Sequence, residues 1–480
     1  MLLPEILKLW DDARDAFRQA RVWARARRLG LSQLACLERH TVTGLLCSCG
    51  RQFVDGSADY RLFSKDRWEP NRRFRPIIRG AMAHLPASGP VVVAIDDTLL
   101  RKSGRKPHGV AYRRDPLSPP FQVNLVLAQR FIQFSMLIPT ALELPTAARA
   151  LPIRFEHVPS VKKPKKNAAK EDWDAYREAA KQKNLNTAAC RITRQLRDEL
   201  DAAHPAEPLR LRLVVDGSYT NKTVIGGLPS RTTLIGRIRK DAKLHFPHPE
   251  SSRWYGPQAP TPEELRKNEP YPREEIQGHA TGKTHTFRVK TLAPLGWRKT
   301  GTTCALRVVV IAPLGYRLRK GSRLLYRQPA YLICTDPDLP VRTLVQYYLW
   351  RWDIEVNHRD EKQIIGVGQA QIWSSKSVDR QPAFAVSCYA MRVLAAMNAF
   401  GPEAVDIGLP VPKWQQRCAR DRVTTQRLVQ LLRQEVWGHA LDQIAPNTGC
   451  DDFVTPEVPD TKSPDRILAP APPLAYARTG

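Results

Sequence analysis

The chain has 480 residues and carries 75 Lys and Arg against 47 Asp and Glu, which gives a formal net charge of +28 at pH 7. The length allows about two to four domains with substantial cores, and the basic excess favours a polyanionic partner over a surface that is basic only for solubility. No apolar run reaches the roughly 18 uncharged residues of a membrane span, and no signal-peptide pattern is visible, so we expect neither membrane insertion nor export. Nine cysteines suit reduced thiols in the cytoplasm.

Residues 1–85 are predicted to form a helical N-terminal domain. Apolar residues recur at helical spacing from Ile6 to Phe17, and a second helix is expected over residues 32–52. Arginines between Arg14 and Arg79 give this region a cationic surface. Two interpretations remain open for it, a DNA-binding module and a plain helical scaffold.

Residues 86–230 change to a pattern dominated by strands. The first predicted strand ends in two adjacent acids, Asp96 and Asp97, and the last ends at Asp216. The order strand, strand, strand, helix, strand favours a mixed α/β sheet over a doubly wound parallel sheet. The strands are predicted at 90–97, 122–127, 131–138 and 209–215, and the helix at 172–203.

Residues 231–480 are divided into four regions by their prolines and by the spacing of their apolar residues. Prolines between Pro247 and Pro272 interrupt a region of strand-like runs, which we interpret as a β-rich insertion. Helices are predicted at 341–365, 384–399 and 424–436. The regions are the insertion (231–338), a second part of the core (339–400), a helical C-terminal region (401–455) and a proline-rich tail that is predicted to be disordered (456–480).

Four polar side chains are predicted to lie on one face of the helix at 341–365. Tyr348, Arg351, Glu355 and Lys362 fall within roughly 60° of one another at 3.6 residues per turn. Apolar residues flank this stripe on both edges, so we expect it to face protein, where charges need partners, a metal or a ligand. The opposite side of the helix is predicted to face water and comprises Gln346, Asp353, Asn357, Asp360 and Glu361.

Three carboxylates make a metal site a reasonable expectation. Asp97 and Asp216 each follow a buried strand, and the ends of adjacent parallel strands meet at one edge of a sheet. Asp96 alternates with Asp97, so only one of the two can point at the site. With Glu355 from the helix, these oxygens would suit Mg²⁺ or Mn²⁺, in a pair of ions about 4 Å apart. Each aspartate alone could equally be a cap or turn residue.

The segment from Tyr348 to Lys362 resembles the bacterial insertion-sequence transposases of the DDE superfamily, whose last motif is Y-x2-R-x3-E-x6-K. The sequence Ile95-Asp96-Asp97-Thr98 is similar to the family's first acidic motif, in which the acid before Thr is catalytic, and this selects Asp97. Asp216-Gly217 is similar to the second motif. The resemblance implies a ribonuclease H-like mixed sheet with a β-rich insertion, and two Mg²⁺ ions held by Asp97, Asp216 and Glu355.

The same resemblance implies an activity and partners. Water would cleave a phosphodiester at a transposon end, and the freed 3′-hydroxyl would attack target DNA. The partners would be double-stranded DNA, with terminal inverted repeats and a target, and a second copy in a synaptic homodimer. The location would be the bacterial cytoplasm, on the nucleoid. The alternatives are a catalytically inactive DNA-binding relic that acts as a repressor or architectural protein, and a nuclease without strand transfer.

Several residues are predicted to bind DNA by analogy with this family. Guanidinium, ammonium and phenol groups suit contacts with phosphates near the cleaved end. Aromatic rings could stack on an extruded base, although the tryptophans of the insertion could equally pack its core. Arg359 could contact a phosphate or form an ion pair on the helix surface. The predicted DNA-binding residues are Tyr348, Arg351, Lys362, Arg359, Trp352, Trp297 and Trp254.

Overall fold

The computed structural model describes residues 1–86, 89–116, 118–119, 121–204, 208–248, 255–301, 304–319, 321–411, 413 and 422–438. Trp254 and the proline-rich tail, both subjects of predictions above, lie outside these residues. The described chain is a mixed α/β structure with helices on both faces of a large sheet.

The N-terminal region is helical, as its apolar spacing predicted. Trp10, Phe63 and Trp68 place their rings 6.0, 5.4 and 5.9 Å from the ring of Phe384, which lies on a long helix near the other end of the chain. The N-terminal helices therefore share a core with the C-terminal part of the protein. They are α1 (Leu2–Asp12), α2 (Ala20–Ala35), α3 (Val42–Ser48), α4 (Ser57–Ser64) and α5 (Pro70–Met82).

Ten described strands form one sheet, and a two-stranded hairpin stands apart from it. The sheet contains β1 (Val91–Arg101), β2 (Ala111–Arg114), β3 (Leu125–Pro139), β4 (Ala148–His157), β5 (Leu211–Val215), β6 (Thr232–Arg237), β7 (Glu274–Ala280), β8 (Lys283–Leu295), β9 (Leu306–Ile311) and β12 (Ala330–Cys334). The separate hairpin pairs β10 (Gly315–Tyr316) with β11 (Leu325–Tyr326). The order in the sheet is β2-β3-β1-β5-β6-β12-β9-β8-β7, and β4 also pairs with β3.

The register of the central strands sets the position of the acids. β1 runs antiparallel to β3 and parallel to β5, with Val91 opposite Leu211 and Ile95 opposite Val215. β5 is parallel to β6, and β3 is antiparallel to β4. This mixed arrangement is compatible with the ribonuclease H-like fold that the resemblance implied, and it brings the ends of β1 and β5 side by side.

The strands of residues 231–338, the region predicted as a β-rich insertion, continue the central sheet. β6 pairs with β5, and β12, β9, β8 and β7 continue the same sheet beyond it. β12 closes the free edge of β6, with Ile333 opposite Gly236. The physical reason is that an unpaired edge of β6 would leave backbone groups without partners, and a strand about a hundred residues later supplies them.

The remaining helices cover the two faces of the sheet. Two predicted helices are each divided, since Asn184 caps a new helix within 172–203 and the 341–365 helix breaks at Arg351. The helices are α6 (Lys170–Gln182), α7 (Leu185–Ala203), α8 (Lys222–Gly226), α9 (Pro262–Lys267), α10 (Val341–Trp350), α11 (Trp352–Gln363), α12 (Ser375–Phe400) and α13 (Thr425–Arg433).

Helix α12 is the central helix of the core. By length and composition it could cross a membrane, and it is the one described helix of which this is true, but 83% of its most apolar stretch is buried within the protein. α1, α2, α4, α5 and β4 all pack against it. Its apolar character therefore has a sufficient explanation in the core.

Candidate active site

The helical stripe of Tyr348, Arg351, Glu355 and Lys362 lies where α10 meets α11. The backbone N–H of Arg351 donates to Tyr348 O (3.2 Å), and that of Ile354 donates to Arg351 O (3.1 Å), so the chain tightens into a narrower turn at this residue. The side chains of Arg351 and Glu355 are 14% and 35% exposed. Half-burial of this kind suits residues that face a cleft, because it leaves their polar ends accessible.

The prediction that the opposite side of this helix faces water is wrong, because most of that side is buried. Gln346, Asn357, Asp360 and Glu361 are each less than 5% exposed. Gln346 accepts from His279 N (2.7 Å) and donates to His279 O (3.1 Å), which ties α10 to β7. The side-chain amide of Asn357 donates to Ala150 O and to the hydroxyl of Tyr389. Polar partners within the protein replace water on this side, and no periodicity in the helix reveals them.

Asp96 belongs to the same face of the sheet as Glu355. It follows Val92 and Ala94, which pack in one apolar cluster with Trp350 and Ile354. Nη1 of Arg351 lies 3.9 Å from Oδ2 of Asp96, and its Nη2 donates to Oε1 of Glu355 at 2.9 Å. The Arg351 guanidinium therefore lies between the two carboxylates.

Burial controls the charge of Asp96. It raises the pKa of this carboxyl to about 6, while the nearby charges of His358 and Arg351 act in the opposite direction. A carboxylate that is this costly to ionise would be stabilised by a cation placed beside it.

Asp97, which the sequence resemblance selected, has different surroundings. It alternates with Asp96 and follows Val93 and Ile95, which pack in the cluster on the other face. Its Oδ2 lies 3.3 Å from Nε of Arg130, and its Oδ1 lies 3.4 Å from the hydroxyl of Tyr219. The pKa of Asp97 is raised, chiefly by burial, with a further contribution from the charge of Asp216 and an opposing one from Arg130.

Asp216 lies directly beyond β5, beside the end of β1. Its Oδ1 accepts from the backbone N–H and the hydroxyl of Ser218, at 2.9 and 2.6 Å. Because Ile95 is opposite Val215 in the parallel pair, Asp216 is the next position alongside Asp96. Asp216, Asp96 and Glu355 all line the same cleft, whereas Asp97 is not among its lining residues. Asp96 is thus linked to Glu355 through Arg351, whereas the charge of Asp216 acts on Asp97.

The cleft has a volume of about 1950 Å³ and is strongly basic. Five acids also line it: Asp241 and Glu263 pair with Arg239 and Arg266, and Arg351 lies beside Asp96 and Glu355, while Asp216 is the fifth. The other cations come from α8, β6, α9 and the segments around them, and an excess of positive charge of this kind suits a polyanion. These cations are Lys222, Arg237, Arg239, Lys240, Lys243, Arg266, Arg298, Lys299 and Arg327.

The chemistry of the three cleft carboxylates fits a hard divalent cation. They offer only oxygen ligands, which Mg²⁺ and Mn²⁺ prefer. Among the described residues, however, no group of three or more His, Cys, Asp and Glu side chains is close enough to hold a metal ion. The nearest contacts of Asp96 and Glu355 are instead with Arg351, whose positive charge lies where the two acids meet.

The other residues predicted to bind DNA are dispersed. Lys362 is half-buried, and burial lowers its pKa, while the charge of Asp96 acts in the opposite direction. Arg359 is exposed and donates to Oδ1 of Asp360 at 3.0 Å. This contact is an ion pair on the helix surface, the second of the two roles that were open for Arg359. Trp352 is 59% exposed. Trp297 lines the cleft but is only 8% exposed and packs in the core.

Sequence reasoning considered Asp96 but selected Asp97, and it did not identify Arg130 or His358. The alternation in β1 did show that only one of the two aspartates could face the site, but it could not show which face the glutamate helix covers. His358 lies one turn beyond Glu355, near both aspartates, and its Nδ1 is 3.6 Å from Oε2 of Glu361. The spacing of His358 and Glu361 is visible in the sequence, whereas their burial is not.

A family model described as DDE superfamily endonuclease matches residues 14–302, which is more than half of the chain. The chain therefore belongs to the DDE superfamily endonuclease family, and the resemblance is confirmed at that level. The match includes Asp96, Asp97 and Asp216 and ends before Tyr348, so it does not test the last motif. Members of this superfamily generally use divalent metal ions and act on DNA. A comparison with curated protein sequences gave no match.

Proposed function

We propose that the chain is a DNA transposase, which cleaves phosphodiester bonds at transposon ends and joins the freed 3′-hydroxyl to target DNA. The observation that carries this proposal is that Asp96, Asp216 and Glu355 line one basic cleft, in which Arg351 lies beside both Asp96 and Glu355. Family membership supports the endonuclease chemistry. Strand transfer, a homodimer as the synaptic form, and action in the cytoplasm on nucleoid DNA are parts of the proposal.

We assign the carboxylates to metal binding with one change from the sequence prediction. Asp96, Asp216 and Glu355 would hold the divalent ions, as Mg²⁺ or Mn²⁺, and Asp96 takes the place that the resemblance gave to Asp97. Bound ions of this kind activate the attacking oxygen and stabilise the leaving oxygen of an in-line displacement. Arg351 contacts both Asp96 and Glu355, so it can hold them in place and offer its remaining N–H groups to a phosphate.

The chain's own cations would position the DNA. The basic residues that line the cleft can neutralise successive phosphates and so hold the scissile bond near Asp96, Asp216 and Glu355. Tyr348 of α10 and Lys362 of α11 are near enough for the charges of Asp216 and Asp96, respectively, to act on them. Contacts with the backbone orient a duplex without reading its sequence, so recognition of terminal repeats needs further contacts.

The alternative of a catalytically inactive relic is less well supported. It would not require Asp96, Asp216 and Glu355 to line one basic cleft, where burial raises the pKa of Asp96 and a bound cation would stabilise its charged form. A nuclease without strand transfer would use the same site. Joining of a pre-cut transposon end to a target plasmid separates that possibility from a transposase.

The direct test is cleavage of DNA that carries the inverted repeats flanking the gene. With Mg²⁺, wild-type protein is expected to cut at the repeat ends, and chelation of the metal is expected to abolish the product. Glu355→Gln keeps the size of the side chain but removes its charge, and it should bind the same DNA without cutting it. Equal cleavage by wild type and Glu355→Gln would show that the site is assigned wrongly.

A further inference from the structure

A second basic site lies on the other side of β1 from the cleft. In the sheet, β5 and β6 stand on one side of β1, and β3 and β2 stand on the other. The cleft is built from the β5 and β6 side, with Asp216 and Arg237. On the opposite side, β2 and β3 carry two arginines that do not line the cleft, Arg113 and Arg130.

Strand register places these arginines on one face of the sheet with Asp97. Asp97 is opposite Ile132, and Leu99 is opposite Arg130, so both residues point to the same face. Arg113 is opposite Val126, which shares that face because it lies four residues before Arg130. The three residues therefore lie on one face, in a row that runs diagonally across β1, β3 and β2.

The contacts along this row leave positive charge without a matching acid. Arg130 forms its ion pair with Asp97, at 3.3 Å. Among the described residues, the hydrogen-bond partner of Arg113 is the neutral hydroxyl of Ser160, and its buried Nε has none. Burial lowers the pKa of Arg113 to about 10, as does the charge of Arg130, while Asp97 acts in the opposite direction. Two guanidinium groups thus share one carboxylate.

We propose that Arg113 and Arg130 form a binding site for a phosphate of the DNA backbone, on the side of the scissile bond away from the basic cleft. This inference rests on the proposed function, because it takes DNA to be the substrate. A phosphate supplies the missing negative charge, and guanidinium groups bind phosphate oxygens in pairs of hydrogen bonds. Asp97 is then a positioning residue, since its carboxylate holds Arg130 in the row.

The strand register indicates how far the bound phosphate lies from the acids. Asp97 is opposite Ile132 and Arg113 is opposite Val126, so Arg113 lies two strands to the side of Asp97, about 10 Å, and six residues farther along the strands, about 20 Å. Successive nucleotides of one strand of duplex DNA rise by about 3.4 Å, so the bound phosphate should be several nucleotides from the cleaved bond. Beyond Ser160, the exposed Lys162, Lys163 and Lys165–Lys166 continue the positive surface outward.

The first test counts phosphate contacts without any cleavage. Binding to duplex DNA is measured over a range of salt concentrations in the absence of divalent metal. Each lost contact lowers the slope of log affinity against log salt by about 0.9. Arg113→Gln is expected to lose about one contact, and Arg113→Lys is expected to retain most of it. Arg114→Gln is the matched control, because Arg114 is the next residue on β2 and is exposed on the opposite face.

The second test locates the contact. Duplexes of the flanking inverted repeat each carry one uncharged methylphosphonate, placed at successive positions around the cleavage site. Wild type and Arg114→Gln should lose affinity when the modification lies at one position several nucleotides from the bond, on the side away from the cleft. Arg113→Gln should be insensitive at that position only. Thermal unfolding of each variant checks that the fold is retained.

The outcomes separate this inference from the function on which it rests. If Arg113→Gln keeps the wild-type salt slope and the wild-type profile of sensitive positions, the phosphate site is wrong while DNA binding stands. If wild type itself has no salt-dependent affinity for duplex DNA, the proposed function fails as well. If Arg113→Gln and Arg114→Gln lose equal affinity at every position, the effect is general charge, and the specific site is rejected.

Discussion

Lys102 shows how burial at a single residue controls protonation near the candidate site. It follows β1 and joins the end of that strand to the segment after α11, because its Nζ donates to Gly368 O (2.9 Å) and Ala370 O (3.2 Å). Burial lowers the pKa of Lys102 to about 8. Lys102 thus holds the end of the strand that carries both aspartates. This contact places a cation in partly apolar surroundings, which disfavour its charge.

The stability contributed by Lys102 is expected to depend on pH. The unfolded chain keeps this lysine protonated up to its ordinary pKa of 10.5, whereas the folded protein loses the proton near 8. Between these values the unfolded state binds more protons, so stability rises with pH. Unfolding in urea at about pH 7 and about pH 10 should show wild type gaining stability relative to Lys102→Met. The exposed Lys106 of the same loop provides the control variant, Lys106→Met. A difference that does not change with pH would contradict this account.

The pair of helices α10 and α11 shows what local patterns predict and what they do not. The spacing of Tyr348, Arg351, Glu355 and Lys362 predicted a helical stripe, and the structure has helices there with a break at Arg351. The water-facing side was predicted from polarity alone. Asn357 violates that expectation because Ser135, Ala150 and Tyr389 supply its hydrogen bonds from distant parts of the chain. Such partners depend on the tertiary fold.

The contact between α1 and α2 depends on a glycine. A Cβ built at Gly30 would lie 1.9 Å from Cζ2 of Trp10, whose buried ring has the Arg73 guanidinium 3.5 Å from its centroid. Gly30→Ala gains up to about 1 kcal/mol of helix propensity, but overpacking of a buried ring typically costs about 1–3 kcal/mol. The variant should therefore unfold at a lower temperature than wild type.

Thermal unfolding followed by circular dichroism checks the effect of Gly30→Ala. The control is Gly104→Ala, because the nearest atom to a Cβ at Gly104 is Cδ of Pro107, at an ordinary 3.8 Å. Gly104→Ala is expected to unfold close to wild type. An unchanged or higher midpoint for Gly30→Ala would mean that Trp10 can move aside without loss, and that the packing of α1 on α2 is looser than the structure indicates.

At the scale of the whole molecule, the sequence predicted the kinds of elements better than their partners. The buried runs at 90–97 and 209–215 are β1 and β5, and they pair in parallel as expected. The membership of β6 and β12 in the same sheet was missed, because the pairing of Gly236 with Ile333 joins segments far apart in the chain. Local alternation identifies a strand, but it contains no information on which edge will accept it.

Part of the excess positive charge of the chain lies near β1. The basic cleft lies on the β5 and β6 side, and Arg113 and Arg130 lie on the β3 and β2 side, on the face of Asp97. Under the two proposals above, the adjacent aspartates have separate tasks, with Asp96 in metal binding and Asp97 in positioning Arg130.

The most direct measurement compares Asp96→Asn with Asp97→Asn in cleavage of the inverted-repeat DNA with Mg²⁺. The two substitutions remove the same charge from neighbouring residues of one strand, so each is the control for the other. Asp96→Asn should bind the DNA but fail to cut it, as Glu355→Gln should. Asp97→Asn should still cut, with weaker binding through Arg130. Loss of cleavage in Asp97→Asn, with cleavage retained in Asp96→Asn, would contradict the assignment of the site.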